Sequence, residues 1–237
     1  MHTSNALRVL LVTALALCGG AASCWDVSYE CDVLPNDTSL GTSAWTYHAA
    51  ANSLTTVANG ILRTTDPWTD DREYVTRGSG FAAGIAVTVE SRFRAASVSS
   101  ADWIFARPGF GIQTFGGSAM LALLPDGVAT RYLGETANRH YAVDLSEWHA
   151  FRIALASDRS FRVWMDGGLV FSGLAFQPGQ NGVFFGTGNY PPETADIEWD
   201  YVRYSKAYLP LPEPSSLLAL LAGFCGLGGV LWRRRTR

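Results

Sequence analysis

Alternation of apolar and polar residues with a period of two is the feature that most limits the fold of this 237-residue chain. The apolar residues Ile85, Val87, Val89 and Phe93 are separated by small or polar residues. This period describes a strand with one face buried and one face in water. The segment from Phe151 to Leu155 repeats it, and no sustained helical period occurs between the two ends of the chain. We therefore expect an all-β domain.

Short turn sequences separate the predicted strands: Asn59-Gly60, Pro125-Asp126-Gly127 and Asp166-Gly167-Gly168. Asparagine, aspartate and glycine tolerate the positive φ that tight turns require, so each sequence indicates a hairpin. Many short strands with closely spaced turns are typical of a sandwich or a barrel. The chain is too long for a simple immunoglobulin domain and lacks its Cys–Trp–Cys arrangement. A jelly-roll sandwich of two antiparallel sheets fits better.

The N-terminal segment from Met1 to Ser23 has the layout of a secretory signal peptide, and we expect it to form a helix. An arginine precedes an apolar stretch from Val9 to Leu17, and small residues follow it. The alternative is a lipoprotein signal, with Cys18 or Cys24 as the lipidated residue. Either signal implies export.

The C-terminal segment combines a short polar motif, an apolar run and a basic end. After Pro212-Glu213-Pro214, the residues from about 215 to 232 are almost all apolar, close to the ~20 that a membrane helix needs. The alternative is a buried helix of the domain, but a core helix has no use for a charged end. By the positive-inside rule, four arginines would anchor the helix on the cytoplasmic side: Arg233, Arg234, Arg235 and Arg237.

This three-part tail resembles the PEP-CTERM sorting domain of Gram-negative bacteria that make exopolysaccharide. The resemblance implies transient insertion in the inner membrane, cleavage near Pro212-Glu213-Pro214 by an exosortase, and delivery to the cell surface or beyond. The predicted organisation is then a signal peptide over 1–23, a jelly-roll domain over 24–208 and a sorting tail over 209–237.

The central region resembles the concanavalin A-like lectin/glucanase superfamily. The resemblance rests on the strand Trp148-His149-Ala150-Phe151-Arg152-Ile153, the hairpin strand Phe161-Arg162-Val163-Trp164-Met165-Asp166-Gly167, and the late strand Glu198-Trp199-Asp200-Tyr201-Val202-Arg203-Tyr204. The last of these resembles a strand of laminarinase-like glycoside hydrolases. The resemblance to the superfamily implies the fold but no particular activity, because one fold can carry many different functional sites.

The chain lacks the carboxylate pattern of those hydrolases. Retaining glycosidases use two carboxyl groups about 5 Å apart, and the laminarinase-like enzymes take theirs from a Glu-x-Asp-x-x-Glu strand. Glu198 and Asp200 have the first spacing, but Arg203 stands where the second glutamate belongs. We therefore predict no catalytic residues and a protein that is not an enzyme.

A structural calcium ion is the one cofactor that the resemblance raises. In the laminarinase-like enzymes, the aspartate that matches Asp200 helps to bind calcium with ligands from the N-terminal strand. Glu30 or Asp32 could supply the partner ligand, since calcium prefers carboxylate oxygens. The alternative is that these acids face water.

Two cysteines lie in the predicted domain, Cys24 and Cys31. In an oxidising compartment they could form a local disulfide. A lipidated Cys24 or two free thiols are the alternatives. Too few thiolates are present for a zinc site.

Aromatic residues are the remaining candidates for a binding site, because sugars stack their apolar faces on rings. Trp164 alternates with the predicted core residues of its strand, which favours exposure. The loop that contains Trp68, Asp70 and Arg72 is the most polar and aromatic one.

Three functions compete at this point. The chain is predicted to bind or organise extracellular polysaccharide without catalysis. The alternatives are a glycoside hydrolase or lyase with an unrecognised site, and a matrix protein that binds other proteins. A net charge of −3 without a basic stripe argues against nucleic acid as a partner.

Overall fold

The computed structural model describes residues 25–43, 45–49, 54–66, 72–75, 81, 84–99, 108–114, 116–176, 182–188 and 194–211. The predicted signal helix and the predicted membrane helix at about 215–232 lie outside these ranges. Within them, no helix has the length and apolar character needed to cross a membrane. A short 3₁₀ helix at Thr38–Ser43 is the helical element of the described part.

Across the described ranges, fifteen strands form two antiparallel sheets. Sheet A contains β1 (Val27–Tyr29), β3 (Leu54–Ala58), β4 (Ile61–Asp66), β6 (Val87–Val98), β11 (His149–Leu155), β12 (Ser160–Met165), β13 (Gly168–Leu174) and β15 (Ala195–Ser205). Sheet B contains β2 (Thr46–Ala49), β5 (Arg72–Val75), β7 (Gly109–Thr114), β8 (Gly117–Leu124), β9 (Gly127–Thr130), β10 (Arg139–Ala142) and β14 (Gly182–Gly188).

Both sheets interleave strands that are distant in the chain. Sheet A has the order β13-β12-β11-β6-β15-β4-β3, and sheet B has the order β10-β9-β8-β7-β14-β5-β2. β4 pairs with the first part of β15, and β1 pairs with its last part. This arrangement fits a jelly-roll sandwich and confirms the predicted all-β class of the domain.

The three predicted turns lie where the sequence places them. Asn59 and Gly60 have φ values of 54° and 74° and join β3 to β4. Asp166 and Gly167, with φ of 48° and 86°, join β12 to β13. The third turn joins β8 to β9 before Gly127. These hairpins confirm that local turn chemistry sets the strand reversals.

The core lies between the two sheets and is rich in aromatic rings. Phe93 stacks on Phe151, with centroids 5.1 Å apart, and also contacts Trp199 at 5.1 Å. Phe185 of sheet B reaches Trp199 at 5.2 Å, so the rings connect the two sheets. The indole N–H of Trp199 donates a 3.1 Å hydrogen bond to Thr64 Oγ1, which satisfies a polar group in this apolar layer.

Candidate functional site

The outer face of sheet A, which is the face turned away from the core, carries charged side chains on its central strands. β6 alternates buried Val89 and Phe93 with Glu90, Arg92 and Arg94. Because neighbouring residues of a strand point to opposite faces, the charged residues project outward. This strand confirms the predicted alternation, and it continues past Phe93 to Val98.

β15 supplies acidic partners for the arginines of β6. Its register places Glu198 opposite Arg94, and an irregularity after Trp199 brings Asp200 within reach of Arg92. Arg94 Nε donates to Glu198 over 2.6 Å, and Arg92 Nη1 donates to Asp200 over 2.8 Å. Both carboxylates of the sequence pair 198/200 are therefore held by guanidinium groups.

A third ion pair extends the row to β4. Arg63 donates to both carboxylate oxygens of Asp196, and Thr65 Oγ1 donates to the same group over 3.2 Å. The hydrogen bond from Arg63 is the main cause that lowers the pKa of Asp196. The six residues of these three pairs form what we name the charged ladder: Arg63, Arg92, Arg94, Asp196, Glu198 and Asp200.

Trp148 lies against this ladder, one residue before β11. The guanidinium carbons of Arg92 and Arg94 lie 5.2 Å and 5.1 Å from the centroid of its ring. These distances are within the range of cation–π attraction. The ring is partly exposed, as are both arginines. An aromatic ring, two cations and two carboxylates thus occupy one patch of the sheet.

Glu90 forms a second cluster on the same face. It lies opposite Arg152 on β11 and Arg203 on β15, and both guanidinium groups donate to its carboxylate. Tyr201 is the third residue that donates to this carboxylate, through its Oη over 2.9 Å. Burial raises the pKa of Glu90, but the two arginines lower it further, so the net shift is downward. The pKa of Tyr201 is raised by burial and by the nearby Glu90 carboxylate.

The N-terminal end of the described chain covers this second cluster. The ring of Trp25 lies 5.3 Å from the guanidinium carbon of Arg152 and 4.8 Å from that of Arg203. The next residue, Asp26, accepts a hydrogen bond from the backbone N–H of Lys206. The N-terminal segment is thereby tied to the residues that follow β15.

Residues 206–211, which we name the C-terminal strap, also lie on sheet A. Thr88 Oγ1 donates to the carbonyl oxygen of Ala207 over 2.7 Å and accepts from the N–H of Leu209 over 2.9 Å. Arg152 Nη1 donates to the carbonyl oxygen of Leu209 over 3.3 Å. The chain is thus bonded to the sheet beyond Tyr208, the predicted end of the domain.

The outer face of sheet B is different in character. Met120 of β8 and Phe184 of β14 are buried and form a small apolar cluster apart from the main core. Ala122 and Ala129 form another. The central strands β7, β8 and β14 of sheet B thus carry small and apolar side chains where the central strands of sheet A carry ion pairs.

The predicted sugar-binding residues do not assemble into one described site. Trp164 projects on the outer face of β12 opposite Arg152, but it is only 2% exposed. The prediction that Trp164 is exposed is therefore wrong. A side chain that points away from the core is still buried where other residues cover that face of the sheet. Arg72 begins β5 in sheet B, opposite Gly188 and Ala49. Trp68 and Asp70 lie outside the described residues.

The three acids predicted to hold calcium do not form a metal site in the described part of the chain. Asp200 pairs with Arg92, Glu30 accepts a hydrogen bond from Ser28, and Asp32 is exposed. No group of three or more metal-ligating side chains occurs among the residues that the structure describes. The ion pair between Arg92 and Asp200 could not be predicted from the sequence, because the two residues lie on different strands.

The predicted disulfide between Cys24 and Cys31 stays a prediction, because only one of the two cysteines is described by the structure. Cys31 is a buried free thiol, and burial raises its pKa to about 12. A thiol with so high a pKa stays protonated and is a poor nucleophile. Cys24, its predicted partner, lies outside the described ranges. The sorting motif Pro212-Glu213-Pro214 and the terminal arginines lie outside them too: Arg233, Arg234, Arg235 and Arg237.

Trp148 is the site residue that the sequence reasoning missed, although a signal was present. Trp148, Ala150 and Arg152 alternate with the core residues Phe151 and Ile153. Extending the period of two by one residue before the strand places the ring on the charged face.

Among the described carboxyl groups, those with a shifted pKa lack the raised value of a general acid. Every one with a shifted pKa is shifted downward, and hydrogen bonds or guanidinium groups cause the shift. A general acid at neutral pH needs a carboxyl whose pKa is raised. Glu198 and Asp200 each have an arginine partner.

Comparisons with known proteins reveal the fold but no family. No family model matches the chain, and no curated protein matches it. A prokaryotic β-1,3-1,4-glucanase (lichenase) from a mouse hindgut metagenome is similar at a TM-score of 0.52 and 14% identity, over 76% of this chain and 98% of the glucanase. A sialidase is similar at 0.52 and 14%, over 70% of this chain and 17% of that protein.

Toxin binding domains are similar to a lesser degree. The binding domain of botulinum neurotoxin DC, in complex with rat synaptotagmin II, has a TM-score of 0.47 and 10% identity over 70% of this chain. The chain spans only 45% of that domain. The fold that this chain shares with the glucanase and the sialidase is a jelly-roll sandwich of two antiparallel sheets. At these identities the likeness concerns the fold alone.

Proposed function

We propose that this chain is an exported, non-enzymatic jelly-roll protein that binds or organises extracellular polysaccharide through the outer face of sheet A. The observation that carries the proposal is the position of Trp148 over Arg92 and Arg94, each of which is oriented by its own carboxylate. Sugar rings stack on aromatic faces while their hydroxyls bond to charged and polar groups nearby. The patch around Trp148 offers both kinds of contact.

The absence of catalysis is part of the same proposal. The carboxylates of the charged ladder and of Glu90 are all paired with arginines, and the buried one, Glu90, has a lowered pKa. Such groups are suited to hold hydroxyls in place and not to donate a proton to a leaving group.

Export and sorting complete the proposed function. Met1 to Ser23 directs secretion, the tail from Pro212 holds the protein transiently in the inner membrane, and an exosortase cuts near Pro212-Glu213-Pro214. The mature domain then reaches the cell surface or the extracellular space. The sequence layout of both ends supports this route.

Affinity electrophoresis of the full-length chain in gels that contain a polysaccharide tests the binding function. We expect glucans to retard wild type, and Trp148→Ala to migrate as it does in a gel without polysaccharide. Tyr141→Ala is the matched control, because Tyr141 is an exposed ring on β10 of sheet B. Equal retardation of wild type and Trp148→Ala would contradict the assignment of the site.

A further inference from the structure

We infer that the ligand of the charged ladder is an uncharged glycan and not a polyuronate or another anionic polymer. This inference rests on the proposed function and names the substrate class of the same site. It depends on the charge balance of the face, on the donors and acceptors that the ion pairs leave free, and on the ring of Trp148.

The charges of the ladder cancel pair by pair. Arg94 is bonded to Glu198 and Arg92 to Asp200, while Arg63 is bonded to Asp196. A ligand carboxylate that approached either arginine beside Trp148 would meet a cation whose charge is already neutralised by a carboxylate in place. A second carboxylate at such a neutralised pair therefore gains little net free energy.

The acidic members of the ladder also repel an anion directly. Asp196, Glu198 and Asp200 alternate along β15, so they project from the same strand on the same side as the arginines. Like charges brought together at such a face cost free energy. An anionic polymer laid along β15 would meet these carboxylates in succession.

An uncharged sugar finds unused hydrogen-bonding capacity in the same pairs. A guanidinium group has five N–H donors and a carboxylate accepts at about four positions, whereas Arg92 and Asp200 share a single hydrogen bond of 2.8 Å. Both partners remain partly exposed, at 45% and 31% of their side-chain surface. Vicinal hydroxyls, which both donate and accept, match such adjacent donors and acceptors.

Trp148 supplies the contact that does not depend on charge. Its ring rests on two guanidinium groups, which leaves it fixed before a ligand arrives. A fixed ring loses little conformational entropy on binding. Stacking together with neutral hydrogen bonds also predicts weak dependence on ionic strength, because salt screens charge–charge attraction most strongly.

The test compares the full-length chain in gels that contain a neutral β-glucan or polygalacturonate, at low and at high sodium chloride. We expect retardation by the neutral glucan that changes less than twofold with salt, and none by polygalacturonate. The double variant Glu198→Gln, Asp200→Asn frees Arg94 and Arg92, so it should gain at least tenfold in retardation by polygalacturonate at low salt and lose that gain at high salt. Glu147→Gln, an exposed glutamate, is the matched control.

Each possible result distinguishes a failure of this inference from a failure of the proposed function. Retardation of wild type mainly by polygalacturonate, with strong salt dependence, overturns the inference and leaves polysaccharide binding intact. A double variant that gains nothing on polygalacturonate overturns the role assigned to the ion pairs. Wild type that no polysaccharide retards overturns the proposed function itself. Circular dichroism and a thermal melt of the double variant establish that it is folded.

Discussion

Glu90 lies opposite Arg152 across β6 and β11, and the guanidinium group of Arg152 donates to a carboxylate that is only 7% exposed. Arg203 approaches the same carboxylate from β15. One nearly buried acid thus links three adjacent strands of sheet A. The arrangement explains how a charge is tolerated in a covered part of the sheet: both opposite charges and a tyrosine hydroxyl compensate its lost hydration.

Removal of the charge of Glu90 should destabilise the domain. Glu90→Gln leaves the guanidinium groups of Arg152 and Arg203 without their counter-charge in a desolvated place, and breaking a buried pair from one side costs about 3–5 kcal/mol. Urea unfolding monitored by tryptophan fluorescence measures the loss. Glu147→Gln, at an exposed position, should change the free energy of unfolding by less than about 0.5 kcal/mol. Equal stability of the two variants would refute the account of the cluster.

The same carboxylate predicts a dependence on acid. The pKa of Glu90 is lowered in the folded protein from its ordinary value of 4.5. Its stabilisation is therefore complete above pH 4.5 and is lost as the pH falls through the lower folded value. The difference in unfolding free energy between wild type and Glu90→Gln should be constant from pH 7 to 5 and shrink below pH 4.5. A difference that stays constant down to pH 3 would contradict the predicted shift.

Gly109 should be irreplaceable for a steric reason. A Cβ atom at this position would lie 2.0 Å from the carbonyl oxygen of Leu121 on the paired strand β8. Because a backbone atom cannot rotate away, Gly109→Ala should cost at least the upper part of the ~1–3 kcal/mol typical of overpacking. Gly168→Ala is the control, since its Cβ would meet only Met165 O at 3.5 Å. Thermal melts of both variants test this predicted loss of stability. Similar melting temperatures would contradict the close approach of β7 and β8.

The C-terminal strap should loosen when Thr88 loses its hydroxyl. Thr88→Val keeps the shape but leaves the carbonyl of Ala207 and the N–H of Leu209 without their partner, at a cost of about 1–3 kcal/mol. We expect faster tryptic cleavage after Lys206, followed by mass spectrometry of the fragments. Thr56→Val, at an exposed position of β3, should be cut there at the wild-type rate. No difference between these two variants would show that the strap is held by other contacts.

Replacement of Pro212-Glu213-Pro214 by three alanines should block processing of the tail. If an exosortase reads this motif, the variant accumulates as a longer form in the membrane fraction, which an immunoblot of fractionated cells detects. Pro210→Ala, just outside the motif, should be processed and released as wild type is. A motif variant of unchanged size that is still released would show that the tail is an ordinary anchor.

Local features of the fold could be predicted because they depend on neighbouring residues. The period of two identified β6 and which of its residues point away from the core, and Asn59-Gly60 identified the hairpin between β3 and β4. The sequence also held enough information to place Trp148 on the charged face, by extension of the alternation in β11. Trp164 also points outward, as the alternation of its strand predicts, but it is buried. Alternation specifies the direction of a side chain and not what covers it.

By itself, the sequence determined that this protein is built from short strands, where several of them turn, and which residues of β6 face outward. The tertiary structure alone decided which charges meet. Arg94 and Glu198 are 104 positions apart, Arg92 and Asp200 are 108, and Arg63 and Asp196 are 133. Partners so distant are set by the order and register of strands in a sheet, and these depend on the packing of the whole core.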